Sequence, residues 1–287
     1  MINSDEKNAT ERGILYLVAT PIGNLADISE RAKKVLSECD FVAAEDTRNS
    51  GKLLMLYGIK KPLVSYFEHN KRERGAVIVQ RILGGETCAL ITDAGMPAIS
   101  DPGEDIVKLC CEQGIKVSVI PGACAAVSAL TVSGLPTGRF VFEGFLSAAK
   151  AQRRKALEAL RSEVRTIIFY EAPHKLKTTL DDMLEILGDR QISLCRELTK
   201  INEEIIRTTI GGAVQMYSQT DPRGEYVLVV SGCDAADRDS AFWSEMSIAE
   251  HVDYYIGQGM AKNDAMKACA RDRGVGKSEI YSEIMIK

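Results

Sequence analysis

Three ionisable side chains follow one short apolar run: Arg196, Glu197 and Lys200 come directly after the residues QISLC. Charges crowded at the end of a strand are costly unless they pair with one another or take part in chemistry. A lysine in such a loop can act as a base when it is neutral, or stabilise a developing negative charge when it is protonated. The pattern therefore predicts a functional loop, with Lys200 as the first catalytic candidate and both of its roles open.

Two further loops also carry groups that could do chemistry. Glu45, Asp46 and Arg48 follow the apolar run FVAA. Carboxylates beside an arginine can orient a polar substrate, and a solvated loop without chemistry is the alternative. Residues 93–103 contain two glycines and two prolines. A loop so rich in turn formers at a sheet edge favours contact with a ligand.

Several common catalytic motifs are absent from the sequence. Residues 20–25 (TPIGNL) follow the first predicted strand but lack the G-x-G-x-x-G pattern of a dinucleotide site. No phosphate-binding G-x-x-x-x-G-K-[ST] loop and no G-x-S-x-G nucleophile turn occurs. His69, His174 and His251 are far apart and no metal-ligand spacing is found, so we expect no bound metal. The ATPase, zinc hydrolase and serine hydrolase classes are therefore disfavoured.

Alternating strands and helices must position these loops. From residue 13 to residue 122, short apolar runs alternate with helical patterns, which predicts five parallel strands with helices on both faces. A second series occupies residues 123–234, and its last strands lack a long crossover helix, so we expect a mixed sheet there. The predicted fold is two α/β domains, a doubly wound parallel sheet and then a mixed one, after a flexible N-terminus of residues 1–12. Ligands of open α/β sheets bind beyond the carboxyl ends of the strands, where the charged loops lie.

Two segments are each open to two interpretations. The small-residue helix within ACAAVSALTVSGLP predicts either tight packing between layers or a wall that lets a ligand approach the backbone. After a polar linker at residues 233–240, residues 235–287 predict a helical extension with a helix-turn-helix outline. Its basic side chains favour contact with RNA, and a helical cap on the second domain is the alternative. These side chains are Lys267, Arg271, Arg273 and Lys277.

Composition limits the class of protein. The chain has 287 residues, 45% of them hydrophobic, and 36 Lys and Arg against 40 Asp and Glu, for a formal net charge of −4. An acidic chain lacks the overall attraction for polyphosphate of a nonspecific nucleic-acid binder, so any contact with RNA must come from local patches. The eight cysteines form no CxxC pair, and no apolar stretch is long enough to span a membrane. We expect a reduced, soluble cytoplasmic protein.

The ordered set of loops and strands resembles the tetrapyrrole methylase superfamily. The resemblance runs from about residue 13 to residue 232 and is carried by LYLVATPIGNLADISERA, AAEDTR, ALITDAGMPAISDPG, VIPGACAAVSALTVSGLP, FEGFL, IIFYEAPHKL, CRELTK and GEYVLVV. Within the superfamily the likeness is to the branch that methylates the ribose 2′-hydroxyl of a cytidine in small-subunit ribosomal RNA, expected to be cytidine 1402 of 16S rRNA. The C-terminal helical tail resembles the appendage of this branch.

The resemblance implies S-adenosylmethionine bound in the cleft between the two α/β domains, and a homodimer. It places the contacts to S-adenosylmethionine on Pro21, Ile22, Gly95, Met96, Pro97, Ile99, Ser100, Cys124, Ala125, Phe169 and Tyr170. One residue departs from the family pattern: Met96 stands where the tetrapyrrole branch has an acidic residue. A carboxylate contact is therefore lost there, whereas contacts to the backbone can still form.

An RNA substrate would need basic contacts, and two predicted helices begin with positive charge. Positive charge at a helix start opposes the helix dipole, which favours a function for these side chains such as binding phosphate. The alternative is that they only form a solvated face of the helix. These residues are Lys71, Arg72 and Arg74 on one helix and Lys150, Arg153, Arg154 and Lys155 on the other. We expect Arg48, Arg153, Arg154 and Lys155 to contact RNA in the small ribosomal subunit.

In-line transfer to the 2′-oxygen mainly requires alignment of the reacting atoms. Lys200 would assist it, with Glu197 and Arg196 setting its protonation state and Glu45 orienting the ribose. Two other functions stay open: a C-methyltransferase acting on a porphyrinogen or corrin precursor, and a non-catalytic RNA-binding assembly factor. Met96 and the RNA-compatible tail count against the former, and failure to bind S-adenosylmethionine would identify the latter.

Overall fold

The computed structural model describes residues 10–233, 243 and 246–285. It divides into two units, Met1–Gly232 and Cys233–Lys287. Most of the predicted flexible N-terminus, residues 1–9, lies outside the described residues, and so do residues 234–240 of the predicted linker. The domain boundaries proposed from the sequence at residues 122 and 234 stay predictions.

The first unit begins with a five-stranded parallel sheet in the order β3-β2-β4-β1-β5. Its strands are β1 (Ile14–Val18), β2 (Phe41–Ala44), β3 (Leu63–Ser65), β4 (Cys88–Ile91) and β5 (Lys116–Ile120). β1 and β4 are neighbours at the centre of the sheet, and the chain leaves them in opposite directions. It runs from β1 to β2 on one side of the sheet and from β4 to β5 on the other. The loops after β1 and β4 therefore lie side by side at the carboxyl edge, where a doubly wound sheet binds its ligands.

Helices cover both faces of this sheet, as the continuous apolar runs predict. They are α1 (Glu30–Glu38), α2 (Thr47–Leu56), α3 (Lys71–Leu83) and α4 (Glu104–Glu112). The helical pattern LADISERAKKVLSEC predicts one helix over residues 25–39, but the structure has a 3₁₀ turn at Leu25–Asp27 and starts α1 after Ser29. Ser29 has extended backbone, and its hydroxyl accepts a hydrogen bond from the amide of Ala32, so it caps α1 and ends the preceding turn.

The second sheet of the first unit is mixed, as expected, in the order β6-β7-β10-β8-β9. Its strands are β6 (Phe140–Phe145), β7 (Thr166–Glu171), β8 (Gln191–Arg196), β9 (Glu204–Thr209) and β10 (Tyr226–Val230). β6 and β7 are parallel, whereas β10 runs antiparallel to β7 and β8 and β9 runs antiparallel to β8. The helices are α5 (Ala125–Val132), which precedes β6, α6 (Lys150–Ala159), α7 (Pro173–Leu187) and α8 (Ile210–Ser218).

The sequence predicted no long crossover helix between the last strands, and the structure has the nine-residue helix α8 between β9 and β10, which was not predicted. Two adjacent glycines, Gly211 and Gly212, weaken its helical signal in the sequence. The hydroxyl of Thr209 accepts a hydrogen bond from the amide of Gly212 and caps the helix, and Ile210 and Ala213 bury its inner face. The sheet is nevertheless mixed, because the short connection from β8 to β9 forms an antiparallel pair.

The second unit is described from α9 (Ile248–Gly257) through α10 (Lys262–Arg273) to α11 (Lys277–Met285). Its helices enclose a small core that includes Val252, Met266 and Ile280. Gly274 ends α10 with a left-handed backbone (φ 65°), so the predicted helix, glycine turn and helix are present. Across the described residues of the whole chain, no helix combines the length and apolarity needed to cross a membrane.

Candidate active site

A cavity of about 390 Å³ opens at the carboxyl edge of the first sheet and extends to the second sheet of the same unit. It is lined by ten residues that the sequence analysis had singled out, namely Ile22, Gly95, Met96, Ile99, Ser100, Cys124, Ala125, Tyr170, Glu197 and Lys200. These residues come from both α/β domains. Loops far apart in the chain therefore converge on one space of the size that a small ligand needs.

The floor of the cavity is fixed where two neighbouring strands end. Thr20 and Gly95 exchange two main-chain hydrogen bonds, with the amide of Thr20 2.9 Å from the carbonyl of Gly95 and the amide of Gly95 3.1 Å from the carbonyl of Thr20. Gly95 has a φ of +83°, and a Cβ built there would lie 3.2 Å from the side chain of Ile22. A glycine is therefore required at this position, because any larger residue would be both strained and crowded.

Backbone strain is concentrated at the cavity. Among the residues that the structure describes, the non-glycine residues with positive φ are Ala98, Ser100, Glu197 and Thr199. They belong to the two loops that approach the cavity from opposite domains. Such conformations cost about 1–3 kcal/mol each and persist where the surrounding structure imposes them, which is typical of ligand-binding loops.

A direct contact joins the two domains beside the cavity. The amide of Asn24 donates a hydrogen bond to the hydroxyl of Thr199 at 3.0 Å. A Cβ added to Gly23 would lie 2.5 Å from Cγ of Lys200 and 2.8 Å from the hydroxyl oxygen of Thr199. Gly23 thus lets the Lys200 loop pack directly on the turn after β1. Pro21 and Gly23 in the sequence predict a stiff turn here, but not the loop against which it packs.

Lys200 lies between two carboxylates. Its Nζ is 2.9 Å from Oε1 of Glu197 and 2.9 Å from Oε2 of Glu225, and the amide of Glu225 also donates to Oε1 of Glu197 at 3.0 Å. Burial of the ammonium lowers its pKa, but the two carboxylate hydrogen bonds outweigh burial, so the pKa of Lys200 is raised above its ordinary value. The side chain is therefore protonated at neutral pH, which favours the electrostatic role over the role of a base.

Arg196, the other basic residue of this loop, does not line the cavity. Its guanidinium pairs with Glu204 at 2.9 Å, a residue on the neighbouring strand β9. Glu197 follows the end of β8 with a left-handed backbone (φ 51°), and its side chain lines the cavity. Within a strand, side chains alternate between the two faces of the sheet. This rule separates two predicted cofactor contacts, because Tyr170 lines the cavity while Phe169 is fully buried in the core on the opposite face of the sheet.

Three carboxylates form an acidic wall at the carboxyl ends of β2 and β4. Burial, followed by the charges of Glu45 and Asp93, raises the pKa of Asp101 to about 6. Burial, followed by the charges of Asp93 and Asp46, also raises the pKa of Glu45. Asp93 and Asp101 line the cavity, whereas Glu45 stands behind them. Mutual repulsion and burial both oppose ionisation of Glu45 and Asp101, so a positively charged ligand group would be stabilised beside these two carboxylates.

Asp46 and Arg48 have a local structural role. The carboxylate of Asp46 caps α2 by accepting hydrogen bonds from the amides of Arg48 and Asn49. The hydrogen bonds with the Arg48 side chain, together with these backbone bonds, lower the pKa of Asp46 to about 2. The Arg48 side chain is 86% exposed, so its outer edge faces solvent.

The small-residue helix α5 both borders the cavity and packs between layers, the two arrangements that its sequence left open. Cys124 and Ala125 at its start line the cavity, while Ala126, Ala129 and Leu130 are buried between layers. The phenol of Tyr170 accepts a hydrogen bond from the amide of Ala126 at 3.2 Å, and this contact ties the helix start to β7. Burial raises the pKa of Tyr170 to about 12, so the phenol keeps its proton.

Of the predicted RNA contacts, two arginines are held in ion pairs. Arg153 is only 7% exposed, and its guanidinium lies 2.7 Å from Asp182. Arg154 pairs with Asp182 at 2.9 Å and with Glu185. Lys155 is exposed. The helix start therefore uses part of its positive charge to bind α6 to α7.

The other residues singled out in the sequence are basic residues at two helix starts and two prolines beside the cavity. Lys71 pairs with Glu68 at 2.8 Å and with Asp105 at 2.7 Å. Among the other basic residues at the two helix starts, Arg72, Arg74 and Lys150 are exposed. Pro21 and Pro97 are buried and flank lining residues without lining the cavity themselves. In the part of the chain that the structure describes, no group of three metal-ligating side chains comes together.

Sequence reasoning missed Phe145 and Glu225 as cavity residues. Asp93 and Asp101 also line the cavity and lie within the turn-rich loop of residues 93–103 that was predicted to contact a ligand, although neither was named as a site residue. Glu225 precedes β10 and carries no motif of its own. Its partnership with Lys200 needs the pairing of β8 with β10.

The family model "Tetrapyrrole (Corrin/Porphyrin) Methylases" matches residues 14–214 of this chain. "Ribosomal RNA small subunit methyltransferase I" of Halalkalibacterium halodurans is 50% identical over 273 residues, which are 95% of this chain and 94% of that protein. The protein of the same name in Bacillus subtilis is 48% identical over 280 residues, 97% of this chain and 96% of that protein.

Solved structures share the fold at lower identity. A diphthine synthase matches with a TM-score of 0.59 and 15% identity, over 76% of this chain and 90% of that chain. The uroporphyrin-III-C-methyltransferase of Thermus thermophilus matches with a TM-score of 0.55 and 21% identity, over 77% of this chain and 94% of that chain. The chain therefore belongs to the tetrapyrrole methylase family, in the branch of the bacterial proteins named ribosomal RNA small subunit methyltransferase I.

Proposed function

We propose that this protein transfers the methyl group of S-adenosylmethionine to the ribose 2′-hydroxyl of a cytidine in 16S ribosomal RNA, with cytidine 1402 as the expected target. The observation that carries the proposal is the cavity in which eight of the eleven predicted cofactor residues converge beside a protonated Lys200. The names of the relatives support ribosomal RNA of the small subunit as the substrate. The cytoplasm is part of the proposal as the compartment of the reaction.

The residues present fit S-adenosylmethionine. Small side chains at Ala94, Cys124 and Ala125 leave room for a ligand close to the backbone. The carboxylate of Asp101 suits a ligand that carries positive charge, because its ionisation is otherwise disfavoured. When bound, S-adenosylmethionine supplies an electrophilic methyl group on a positively charged sulfur.

The reaction then needs two contributions from the protein, which Lys200 and Asp101 would supply. Lys200, held by Glu197 and Glu225, presents a fixed ammonium that stabilises negative charge developing on the ribose oxygen. Asp101 accepts the proton of the hydroxyl at its carboxylate, since its raised pKa makes it a better base than an ordinary aspartate. Glu45 acts behind it by raising that pKa.

Exposed basic side chains supply the contacts to RNA. Arg48 and Lys155 extend into solvent and can reach phosphates, and each such contact should weaken as salt increases. Arg153 and Arg154 contribute less, because their guanidinium groups are already paired with Asp182.

A homodimer formed through the outer edges of both sheets completes the proposal. β5 and β6 are edge strands, and the exposed apolar side chains Val119, Val127 and Phe140 lie on them and on the helix between them. Unpaired edges bearing apolar groups favour association with a second copy. Light scattering of the wild type and of Val127→Glu tests this: a wild-type monomer would overturn it.

The function is tested by incubating the protein with labelled S-adenosylmethionine and small ribosomal subunits from cells lacking it, and then mapping methylated nucleotides by mass spectrometry. We expect one ribose-methylated cytidine in 16S RNA. Methyl transfer to a porphyrinogen and not to the subunit would refute the proposal, and calorimetry without binding of S-adenosylmethionine would exclude a methyltransferase altogether.

A further inference from the structure

One large apolar side chain of the cavity is left uncovered. Phe145 lines the cavity at the end of β6 and is 57% exposed, whereas its neighbours in the lining, such as Cys195, Tyr226 and Val227, are buried. A phenylalanine gains most by burial, so an exposed ring at the mouth of a cavity marks a surface that is covered when a ligand binds.

An irregularity in β6 turns this ring into the cavity. Phe142 pairs with Ile168, but the next pair is Gly144 with Phe169, so Glu143 is an extra residue and forms a bulge. In a parallel pair, opposed side chains lie on the same face of the sheet. The bulge therefore places Phe145 opposite Tyr170 on the cavity face, whereas regular alternation would place it on the opposite face, as it places Phe169.

Gly144 makes the bulge possible. Its φ is +63°, and a Cβ built there would lie 2.8 Å from the hydroxyl oxygen of Ser100. The strand thus turns sharply against the loop that carries Ser100. Phe145 and the exposed Ile99 are both brought to the rim of the cavity in this way.

Neighbouring groups hold the ring of Phe145 in place. It packs at 58° against Tyr170 with 5.4 Å between the ring centroids, and Tyr170 in turn packs against Phe142 at 5.0 Å. The ammonium of Lys175 lies 5.6 Å from the Phe145 centroid and 3.3 Å from Oε1 of the buried Glu171. A ring fixed in this way loses little conformational freedom when it stacks on a partner.

The charges around the ring indicate what that partner is. The lining carries the carboxylates of Asp93, Asp101, Glu171, Glu197 and Glu225. Lys200 is the basic residue of the lining, and Lys175 beside it pairs with Glu171. A phosphate group would be repelled by this excess of negative charge. A neutral planar group would not be, and the nucleobases of an unstacked RNA nucleotide stack well on aromatic side chains.

We infer that Phe145 is a stacking platform for the base of the target nucleotide, held at the cavity mouth by the Glu143 bulge. The inference rests on the proposed function and specifies its substrate site: the nucleotide leaves the RNA stack, its base covers Phe145, and its ribose faces Lys200. Phe145 is then a positioning residue, because its ring contacts the base and not the reacting atoms.

The test compares Phe145→Leu, which keeps the apolar surface but removes the aromatic face, with Phe145→Tyr, which restores it. Met216→Ala is a matched control, since Met216 is an exposed side chain of the same domain that does not line the cavity. Steady-state methyl transfer to small ribosomal subunits gives KM and kcat, and calorimetry gives the affinity for S-adenosylmethionine. Thermal unfolding checks folding, and Phe145→Met replaces Phe145→Leu if that variant is unstable.

We expect Phe145→Leu to raise KM for the subunit about tenfold to a hundredfold, which is the range of base stacking on an aromatic side chain. The affinity for S-adenosylmethionine should not change, Phe145→Tyr should lie near the wild type, and Met216→Ala should match it. Wild-type kinetics for Phe145→Leu would overturn the inference while leaving the proposed function intact. Weaker S-adenosylmethionine binding with unchanged KM for the subunit would assign the ring to the methyl donor instead. Absence of transfer by the wild type would overturn both proposals.

Discussion

The ammonium of Lys200 lies 2.9 Å from the carboxylate of Glu197 on its own loop and the same distance from Glu225, at the start of β10. The two carboxylates hold Lys200 protonated at the wall of the cavity. A lysine held in this way is ready to meet negative charge and is poorly suited to remove a proton.

Replacing Lys200 with methionine removes this charge while keeping the length of the side chain. We expect kcat for methyl transfer to fall about 10²-fold, the usual effect of losing one electrostatic contact to a developing oxyanion. Binding of S-adenosylmethionine, measured by calorimetry, should persist. Equal rates for Lys200→Met and the wild type would contradict this role.

The protonation state of Lys200 gives a separate prediction about pH. Because the pKa of Lys200 is raised above its ordinary value of about 10.4, the wild type should show no gain in rate from deprotonation of this lysine between about pH 8 and 10. A pH profile of kcat with Lys200→Arg as the control checks this. A rate that rises tenfold per pH unit over that range, and does so only in the wild type, would identify Lys200 as a base.

Asp101 links activity to stability. Its folded-state pKa of about 6 stands above its unfolded value of about 3.9, so the ionised carboxylate destabilises the fold. Asp101→Asn should therefore raise the free energy of unfolding at pH 8 by on the order of 1–2 kcal/mol, with the gain declining as the pH falls below 6 and vanishing below about pH 4. Urea unfolding at several pH values measures this, with the exposed Asp181→Asn as the control.

The same substitution should lower kcat by about 10²-fold or more, since an amide cannot accept the proton. A variant that is more stable and less active is the expected combination for a residue kept for catalysis. Loss of stability at pH 8, or full activity, would show that Asp101 does not have this role.

Gly23 permits close contact between the two domains, and Gly23→Ala tests its importance. The added Cβ would lie 2.5 Å from Cγ of Lys200, so the Lys200 loop must move away. We expect kcat to fall about tenfold or more, together with a loss of about 1–3 kcal/mol in unfolding free energy from crowding. Gly138→Ala is a suitable control, because no atom lies within 4 Å of the Cβ position there.

Comparing Arg153 with Lys155 separates the structural role of positive charge on α6 from a role in binding RNA. It and Asp182 are each 7% exposed, so Arg153→Ala leaves a buried carboxylate without its main partner and should cost about 3–5 kcal/mol of unfolding free energy. Lys155→Ala on the same helix should change stability by less than about 0.5 kcal/mol. Its effect should appear instead as weaker, less salt-dependent binding to the ribosomal subunit. The reverse pattern would restore Arg153 as an RNA contact.

The sequence predicted the mixed sheet from the lack of a long crossover helix between its last strands, and the β8–β9 connection, which has no helix, does form an antiparallel pair. It predicted the parallel sheet because continuous apolar runs separated by helical patterns allow few other folds. It predicted where the cavity loops lie for the same reason, since Ile22, Gly95 and Tyr170 all follow or end strands. It could not separate Tyr170 from Phe169 without knowing which face of β7 meets the cavity. It missed Glu225 and the role of Phe145 because both depend on strand register, which a bulge changes by a single residue.

The bridge between Thr20 and Gly95 uses main-chain atoms alone. The adjoining position 96 can therefore exchange its side chain without rebuilding the loop, provided that the glycine before it remains. The main-chain contacts of such a loop can stay constant while the polarity of the neighbouring side chain varies. Met96, expected from the resemblance to replace an acidic residue, stands at a position of this kind, where the backbone bridge does not depend on the side chain.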